Sequence, residues 1–304
     1  MTEHVRLKIA VIGLGSMGLG IAGSLLRASF TVAGYDPAQA ALEKFTGLGG
    51  VAASNPANAA KGADIVICVV VNAAQTEAAL FGDGGAASTM AAGGTFVSCA
   101  TMSPDAARGF AAQATALGLG YLDAPISGGA AKAASGDMTV MASGLAAAFA
   151  HAKPVLDCIA AKVYDLGPDA GTGAAFKIVN QLLAGVHIAA ACEAITFAKG
   201  MGLDIAKVYE VITASAGNSW MFENRVPHIL DGDYSPRSAV SIFTKDLGIV
   251  SDIGRSLTLP TPIAATALQM FVMTAAAGMG RDDDASVARM LAGLAGLDLP
   301  GQPA

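Results

Sequence analysis

Lys8-Ile9-Ala10-Val11-Ile12-Gly13-Leu14-Gly15-Ser16-Met17-Gly18 decides the fold of this 304-residue chain, because it joins an apolar strand to a glycine turn and a helix start. Gly13 suits a tight turn, Gly15 lets the backbone come close to a pyrophosphate, and Gly18 allows the following helix to pack closely. The free N–H groups and positive dipole end of that helix attract an anion, so a phosphate site here needs no basic side chain. Leu14, Ser16 and Met17 complete the backbone of the turn. A helical run from about Met17 to Ala28 and a second strand, Thr31 to Tyr35, follow. The whole unit reads as a dinucleotide cradle.

Asp36 closes the second strand at close to the interval of about 20 residues at which an acid meets the adenosine ribose hydroxyls. A carboxylate repels a 2′-phosphate, and no Arg or Lys follows between Pro37 and Leu42 to attract one, so the pattern predicts NAD. The alternative is that Asp36 only opens the turn before Pro37.

The length allows two domains with a sizeable core. A net charge of −6 argues against a nucleic-acid footprint, which needs clustered Lys and Arg. The apolar residues read as dispersed, with charged residues interrupting each run before a membrane-spanning length of about 20, so no membrane is expected. Met1-Thr2-Glu3-His4-Val5-Arg6 leads straight into the first strand, which predicts no signal peptide and a cytoplasmic location. Cys68, Cys99, Cys158 and Cys192 sit singly in apolar segments and read as buried thiols, with neither metal-ligand spacing nor a redox pair. His4, His151, His187 and His228 are equally scattered, and His228 reads as a surface residue. No metal is expected.

Up to about Leu166, short apolar runs alternate with helical patterns, the signature of βαβ units and a parallel sheet. Ile65 to Val71 is apolar throughout, as a strand covered on both faces must be. Thr95 to Cys99, Tyr121 to Ala124, Thr139 to Ala142 and Lys162 to Asp165 extend the set. Ser54 or Asn55 before Pro56, and Ser103 before Pro104, mark helix starts. After Gly167-Pro168-Asp169-Ala170-Gly171 the alternation stops and the rest reads as helix. The run Thr172 to Gly200 is long, rich in Ala and apolar on more than one face, so it is expected to link the domains, partly covered by another subunit. Two shorter helices broken near Gly185 are the alternative. Arg281-Asp282-Asp283-Asp284 reads as an N-cap beside a solvated turn.

In an open parallel sheet the ligand crevice lies beyond the carboxyl ends of the strands. Thr101, after the strand ending at Cys99, and Asp123-Ala124-Pro125-Ile126-Ser127-Gly128-Gly129 both fall there. Ser127 offers a hydroxyl, and Gly128 and Gly129 can expose consecutive N–H groups as an anion nest suited to a carboxylate. In Gly171-Thr172-Gly173-Ala174-Ala175-Phe176-Lys177-Ile178-Val179-Asn180-Gln181, the side chains of Lys177, Asn180 and Gln181 share one helix face. Such a polar group on an apolar helix is costly to bury unless it meets a ligand or partner. A lysine serves a reacting hydroxyl as acid or base if burial or a nearby cation brings its pKa towards working pH. Lys245, in Thr244-Lys245-Asp246-Leu247, is a candidate for that cation or for a cofactor contact.

Together these segments resemble the β-hydroxyacid dehydrogenases of the 3-hydroxyisobutyrate dehydrogenase type, from the first strand to roughly Leu291. The resemblance implies Lys177 as the catalytic residue, Ser127 to Gly129 as the loop for the substrate carboxylate, and Thr101 and Lys245 near the cofactor. The family commonly has two asparagines after its lysine, where this chain has Asn180-Gln181; Gln181 would contact substrate from about one methylene further out. The runs Asn180 to Ile188 and Gly217 to Arg225 resemble the L-threonate dehydrogenase branch, which oxidises a four-carbon sugar acid with NAD. Asn218, Ser219 and Asn224 either meet a substrate with several hydroxyls or cap the loop around Trp220.

The expected fold is therefore α/β. An N-terminal Rossmann-type parallel-sheet domain, residues 1–169, precedes an all-helical substrate and oligomerisation domain, residues 170–304, joined by a long interdomain helix. The expected activity is NAD-dependent oxidation of a small hydroxy acid, with L-threonate going to its 2-oxo acid, in a homodimer or homotetramer. The alternatives are 3-hydroxyisobutyrate oxidation, tartronate semialdehyde reduction, or a non-catalytic dinucleotide-binding redox sensor.

Overall fold

The computed structural model describes residues 7–301, so His4 and the leaderless reading of Met1 to Arg6 lie outside the described residues. The chain divides into two compact units, one ending at Lys177 and the other beginning at Ile178. In the first unit, β1 (Lys8–Ile12), α1 (Ser16–Arg27), β2 (Thr31–Tyr35), α2 (Gln39–Gly47) and β3 (Val51–Ala52) form the opening turn of the winding. Next come α3 (Pro56–Ala59), β4 (Ile65–Cys68), α4 (Ala73–Phe81), β5 (Thr95–Ser98), α5 (Pro104–Ala116) and β6 (Gly120–Asp123). The unit closes with β7 (Ile126–Ser127), α6 (Gly129–Ser135), β8 (Met138–Gly144), α7 (Ala146–Ile159) and β9 (Ala160–Asp165).

The strand order is β3-β2-β1-β4-β5-β6-β8-β7, with β9 on β8. All pairs from β3 to β6 are parallel, whereas β8 runs antiparallel to β6 and β7. The parallel reading therefore holds for the nucleotide half and gives way beyond β6. Side chains alternate across the sheet as strand geometry requires. Ile9 and Val11 of β1 pack with α1, α2 and α7, while Ala10 and Ile12 pack with α3, α4 and α5. Buried on both faces, β4 and β5 carry no exposed residue. Asn55, rather than Ser54, caps α3 through Asn58 N at 2.7 Å, and Ser103 caps α5.

The long helix α8 (Thr172–Gly200) is a single element, and its first residues belong to the first unit. In the second unit it is followed by α9 (Ile205–Thr213), α10 (Trp220–Asp231), α11 (Val240–Ser256), α12 (Pro262–Thr274) and α13 (Ser286–Ala295). Gly185 does not break α8; it admits Leu247 of α11, whose Cδ1 would lie 2.9 Å from a Cβ at that position. Close helix contact is thus the reason for a glycine mid-helix. Cys192, Ile195, Phe222, Val226, Phe243, Phe271 and Val287 lie in the core of this unit.

Several expectations change in the second unit. Asp283 and Asp284 are fully buried, not on a solvated turn. His228, expected at the surface, is buried as well, with Nδ1 2.8 Å from Asp283 Oδ1 and Nε2 2.5 Å from Arg237 Nη1. A guanidinium can only donate, so His228 Nε2 accepts and Nδ1 carries the proton given to Asp283. The uncharged run from Ser256 to Gly280 is longer than anticipated, and α8 and Pro262–Met279 are both long and apolar enough to cross a membrane. Ala264, Ala267 and Phe271 of α12 are buried in the unit's core, while Ile263, Val272 and Met273 stay exposed. Of the four free cysteines, Cys158 is only half-buried.

Candidate active site

The switch in strand order falls at β1, between β2 and β4, which opens a crevice at the carboxyl ends of β1 and β4. Gly13 occupies that point with φ +89°, and a Cβ there would lie 2.5 Å from Val69 O. Its N–H donates to Tyr35 O at 2.9 Å, tying the turn to the end of β2. At Gly18 a Cβ would sit 1.8 Å from Gly13 O, so only glycine lets α1 begin this close to the turn. Gly15 differs from both. Its angles, φ −62° and ψ −173°, suit any residue, and a Cβ would meet no atom within 4 Å. No protein contact requires glycine there, whereas a ligand backed against the chain does. The helix α1 begins without a side-chain cap or a first-turn acid, which leaves its N-terminus suited to an anion.

Asp36 follows β2 and engages both carboxylate oxygens: Oδ2 accepts from Leu14 N at 2.7 Å and Oδ1 from Ala38 N at 2.8 Å. It therefore opens the turn through Pro37 and also stands against the glycine turn. These residues fit a dinucleotide. Thr101 lies beyond the end of β5, at the same edge of the sheet, and is half-buried.

Along that edge, β6 ends at Asp123 and the chain continues through Pro125 to β7. Gly128 and Gly129 then take φ values of +138° and +77°, and Gly129 faces open space. Lys177 is only 7 % exposed, and its Nζ donates to Ile126 O at 2.8 Å. The lysine and the Ser127 to Gly129 loop are thereby held together within the first unit. Asp123 holds this arrangement in register and was missed as a site residue in the sequence. It is buried, and its Oδ2 accepts from Gly171 N at 3.0 Å, Ala174 N at 2.7 Å and Ser143 Oγ at 3.4 Å. It caps α8 one turn before Lys177, as a carboxylate at a helix N-terminus does. Burial nevertheless pushes its carboxyl up to about 6, more than those donors lower it. An acid at the end of an otherwise apolar strand was the available signal.

In the second unit, Asn180 Nδ2 donates to Gln181 Oε1 at 3.0 Å, and Gln181 Nε2 donates to Asp246 Oδ2 at 2.5 Å. Asp246 Oδ1 in turn pairs with Lys245 Nζ. Gln181 is 7 % exposed, and its extra methylene lets Nε2 meet Asp246. Asn218, Ser219 and Asn224 are engaged locally. Ser219 caps α10 through Phe222 N, Asn218 meets Glu223 Oε1 and Thr213 O, and Asn224 pairs with Arg225. These three residues cap and brace α10.

Two family models match the chain. The NAD-binding domain of 6-phosphogluconate dehydrogenase covers residues 8–167, and the NAD-binding part of NADP-dependent 3-hydroxyisobutyrate dehydrogenase covers residues 171–291. L-threonate dehydrogenase of Cupriavidus necator is 52 % identical over 97 % of this chain and 98 % of its own length. The Haemophilus influenzae protein of the same name is 49 % identical over 96 % of this chain and 97 % of its own. A solved structure, 3-hydroxyisobutyrate dehydrogenase from Salmonella typhimurium, matches with a TM-score of 0.90 at 48 % identity, over 93 % of this chain and 99 % of that one. With the Gly15 opening and Asp36, these likenesses make NAD the cofactor.

Proposed function

Because the chain belongs to the 3-hydroxyisobutyrate dehydrogenase-like family of NAD-dependent hydroxy-acid dehydrogenases, we propose that it oxidises L-threonate to the 2-oxo acid with Lys177 as the acid/base. The observation that carries the proposal is the buried Lys177 side chain, whose Nζ donates to Ile126 O, one residue from Ser127. Bound NAD supplies the two-electron acceptor. The Ser127 hydroxyl and the N–H groups of Gly128 and Gly129 hold the substrate carboxylate. Lys177 Nζ takes the hydroxyl proton as the carbon is oxidised, and returns it in the reductive direction. Thr101 and Lys245 serve the cofactor, and Asn180 and Gln181 orient the substrate. The names of the relatives at 49 % and 52 % identity favour threonate. A second reading, 3-hydroxyisobutyrate oxidation, is favoured by the name of the Salmonella structure.

A panel of sugar acids and β-hydroxy acids followed by NADH formation separates the two. The highest kcat/KM falls on L-threonate if the first reading is right, and a preference for 3-hydroxyisobutyrate replaces it with the second. We also place the protein in the cytoplasm as a homodimer or homotetramer. Supporting the assembly, α8 keeps Val179, Leu183 and Phe197 half or more exposed, an apolar stripe that a second copy of the chain would cover.

A further inference from the structure

We infer that Gln181 is a positioning residue, locked by Asp246, that makes Asn180 present its carbonyl oxygen to the substrate as an acceptor for a substrate hydroxyl. The inference rests on the reading of Lys177 and Asn180 as active-site residues.

The orientation begins at Asp246, which has no exposed surface. One of its oxygens pairs with Lys245 Nζ, and the other lies 2.5 Å from Gln181 Nε2. A carboxylate beside an ammonium offers only acceptors, so Gln181 must turn its NH2 towards it. Gln181 Oε1 then faces the other way and accepts from Asn180 Nδ2 at 3.0 Å. The second amide is thereby turned as well, with one N–H of its NH2 given to Gln181. Asn180 Oδ1 is the end left over, and among the described residues no donor meets it. Asn180 stays half-buried three residues after Lys177, on the same helix face.

This arrangement accounts for the extra methylene of glutamine. An asparagine at position 181 could not span from Asp246 to Asn180, and the second amide would be free to rotate. A fixed acceptor discriminates by chemistry rather than size: a hydroxyl donates to it, while a methylene or an oxo group leaves it unpaired. The site therefore selects acids that carry a hydroxyl beyond the one being oxidised.

The test compares kcat/KM for L-threonate with those for its 3-deoxy and 4-deoxy analogues. Wild type is expected to prefer threonate over one of the two by about 100-fold, the penalty of an unpaired buried acceptor in a site built for a hydroxyl. In Gln181→Met, nearly isosteric but without the amide, that ratio falls by about 10-fold, mostly through the KM for threonate. In an Asn180→Ala background, adding Gln181→Met changes the ratio no further, because both act through one hydrogen bond. A ratio untouched in Gln181→Met overturns the inference, and so does an additive further loss in the double variant, which would mark Gln181 as a direct substrate contact. Should Gln181→Met fail to bind NAD, Gln181→Asn carries the same comparison. Absence of wild-type turnover on every hydroxy acid would instead remove the underlying reading, and this inference with it.

Discussion

The Asp123 carboxylate, at the end of β6, accepts the backbone N–H of Ala174 at 2.7 Å in the first turn of α8. Strand and helix are thus joined by a buried acid whose carboxyl stands at about 6 instead of 3.8. The folded state therefore binds this proton more tightly than the unfolded chain does. Its contribution to stability is fully present below pH 3.8 and declines as pH rises to about 6. Asp123→Asn removes the titration, so wild type should lose on the order of 3 kcal/mol relative to the variant across that window. Urea unfolding of both proteins between pH 4 and about 7 measures it, and a pH-independent difference would refute the account.

Asp36 binds Leu14 N and Ala38 N with its two oxygens, which sets a negative charge against the glycine turn. Asp36→Ser should raise the NADP-to-NAD ratio of kcat/KM by about 10-fold or more, since the repulsion of a 2′-phosphate goes with the charge. A ratio unchanged from wild type would reduce Asp36 to a turn residue.

Arg225 meets Asp284 through two hydrogen bonds, Nε to Oδ1 at 2.6 Å and Nη2 to Oδ2 at 3.1 Å. Burial outweighs this partner and holds the Asp284 carboxyl at about 6. Arg225→Met alone strands a buried acid and should cost about 3–5 kcal/mol, whereas Arg225→Met with Asp284→Leu should cost less than the single change. Thermal or urea unfolding of the two variants decides it, and a double variant that is the weaker of the pair counts against the ion-pair reading.

Phe197 is 67 % exposed on α8. If a second copy covers this stripe, Phe197→Asp should lower the sedimenting mass to that of a smaller assembly or a monomer, by placing a charge in an apolar contact. Wild type sedimenting as a monomer would remove the assembly proposal outright.

The β1–α1–β2 unit was legible because each part leaves a local signature: an unbroken apolar strand, three glycines at fixed offsets and an acid at the next strand end. The bounds of α8 were equally legible, since no proline interrupts Thr172 to Gly200. By contrast β3 and β7 are two residues each, too short to carry a period. The antiparallel direction of β8 depends on which edge it joins, a tertiary choice that its own residues do not encode. Within the site, Lys177, Asn180 and Gln181 could be proposed from spacing, but the partners that hold Lys177 and Gln181 lie far along the chain. Asp123 is 51 residues from Ala174, and Gln181 is 65 from Asp246. The same distance hid the burial of Asp283 and Asp284, which precede α13: their neighbours Arg225 and His228 come from α10.

The role of Lys177 is the centre of the account, and Lys177→Ala tests it most directly, with NADH formation from L-threonate and NAD affinity measured on the same preparation. The account predicts turnover lowered by about 1000-fold or more, as loss of a proton-transfer group demands, with NAD affinity within about threefold of wild type. Turnover close to wild type in a variant that binds NAD normally would contradict it.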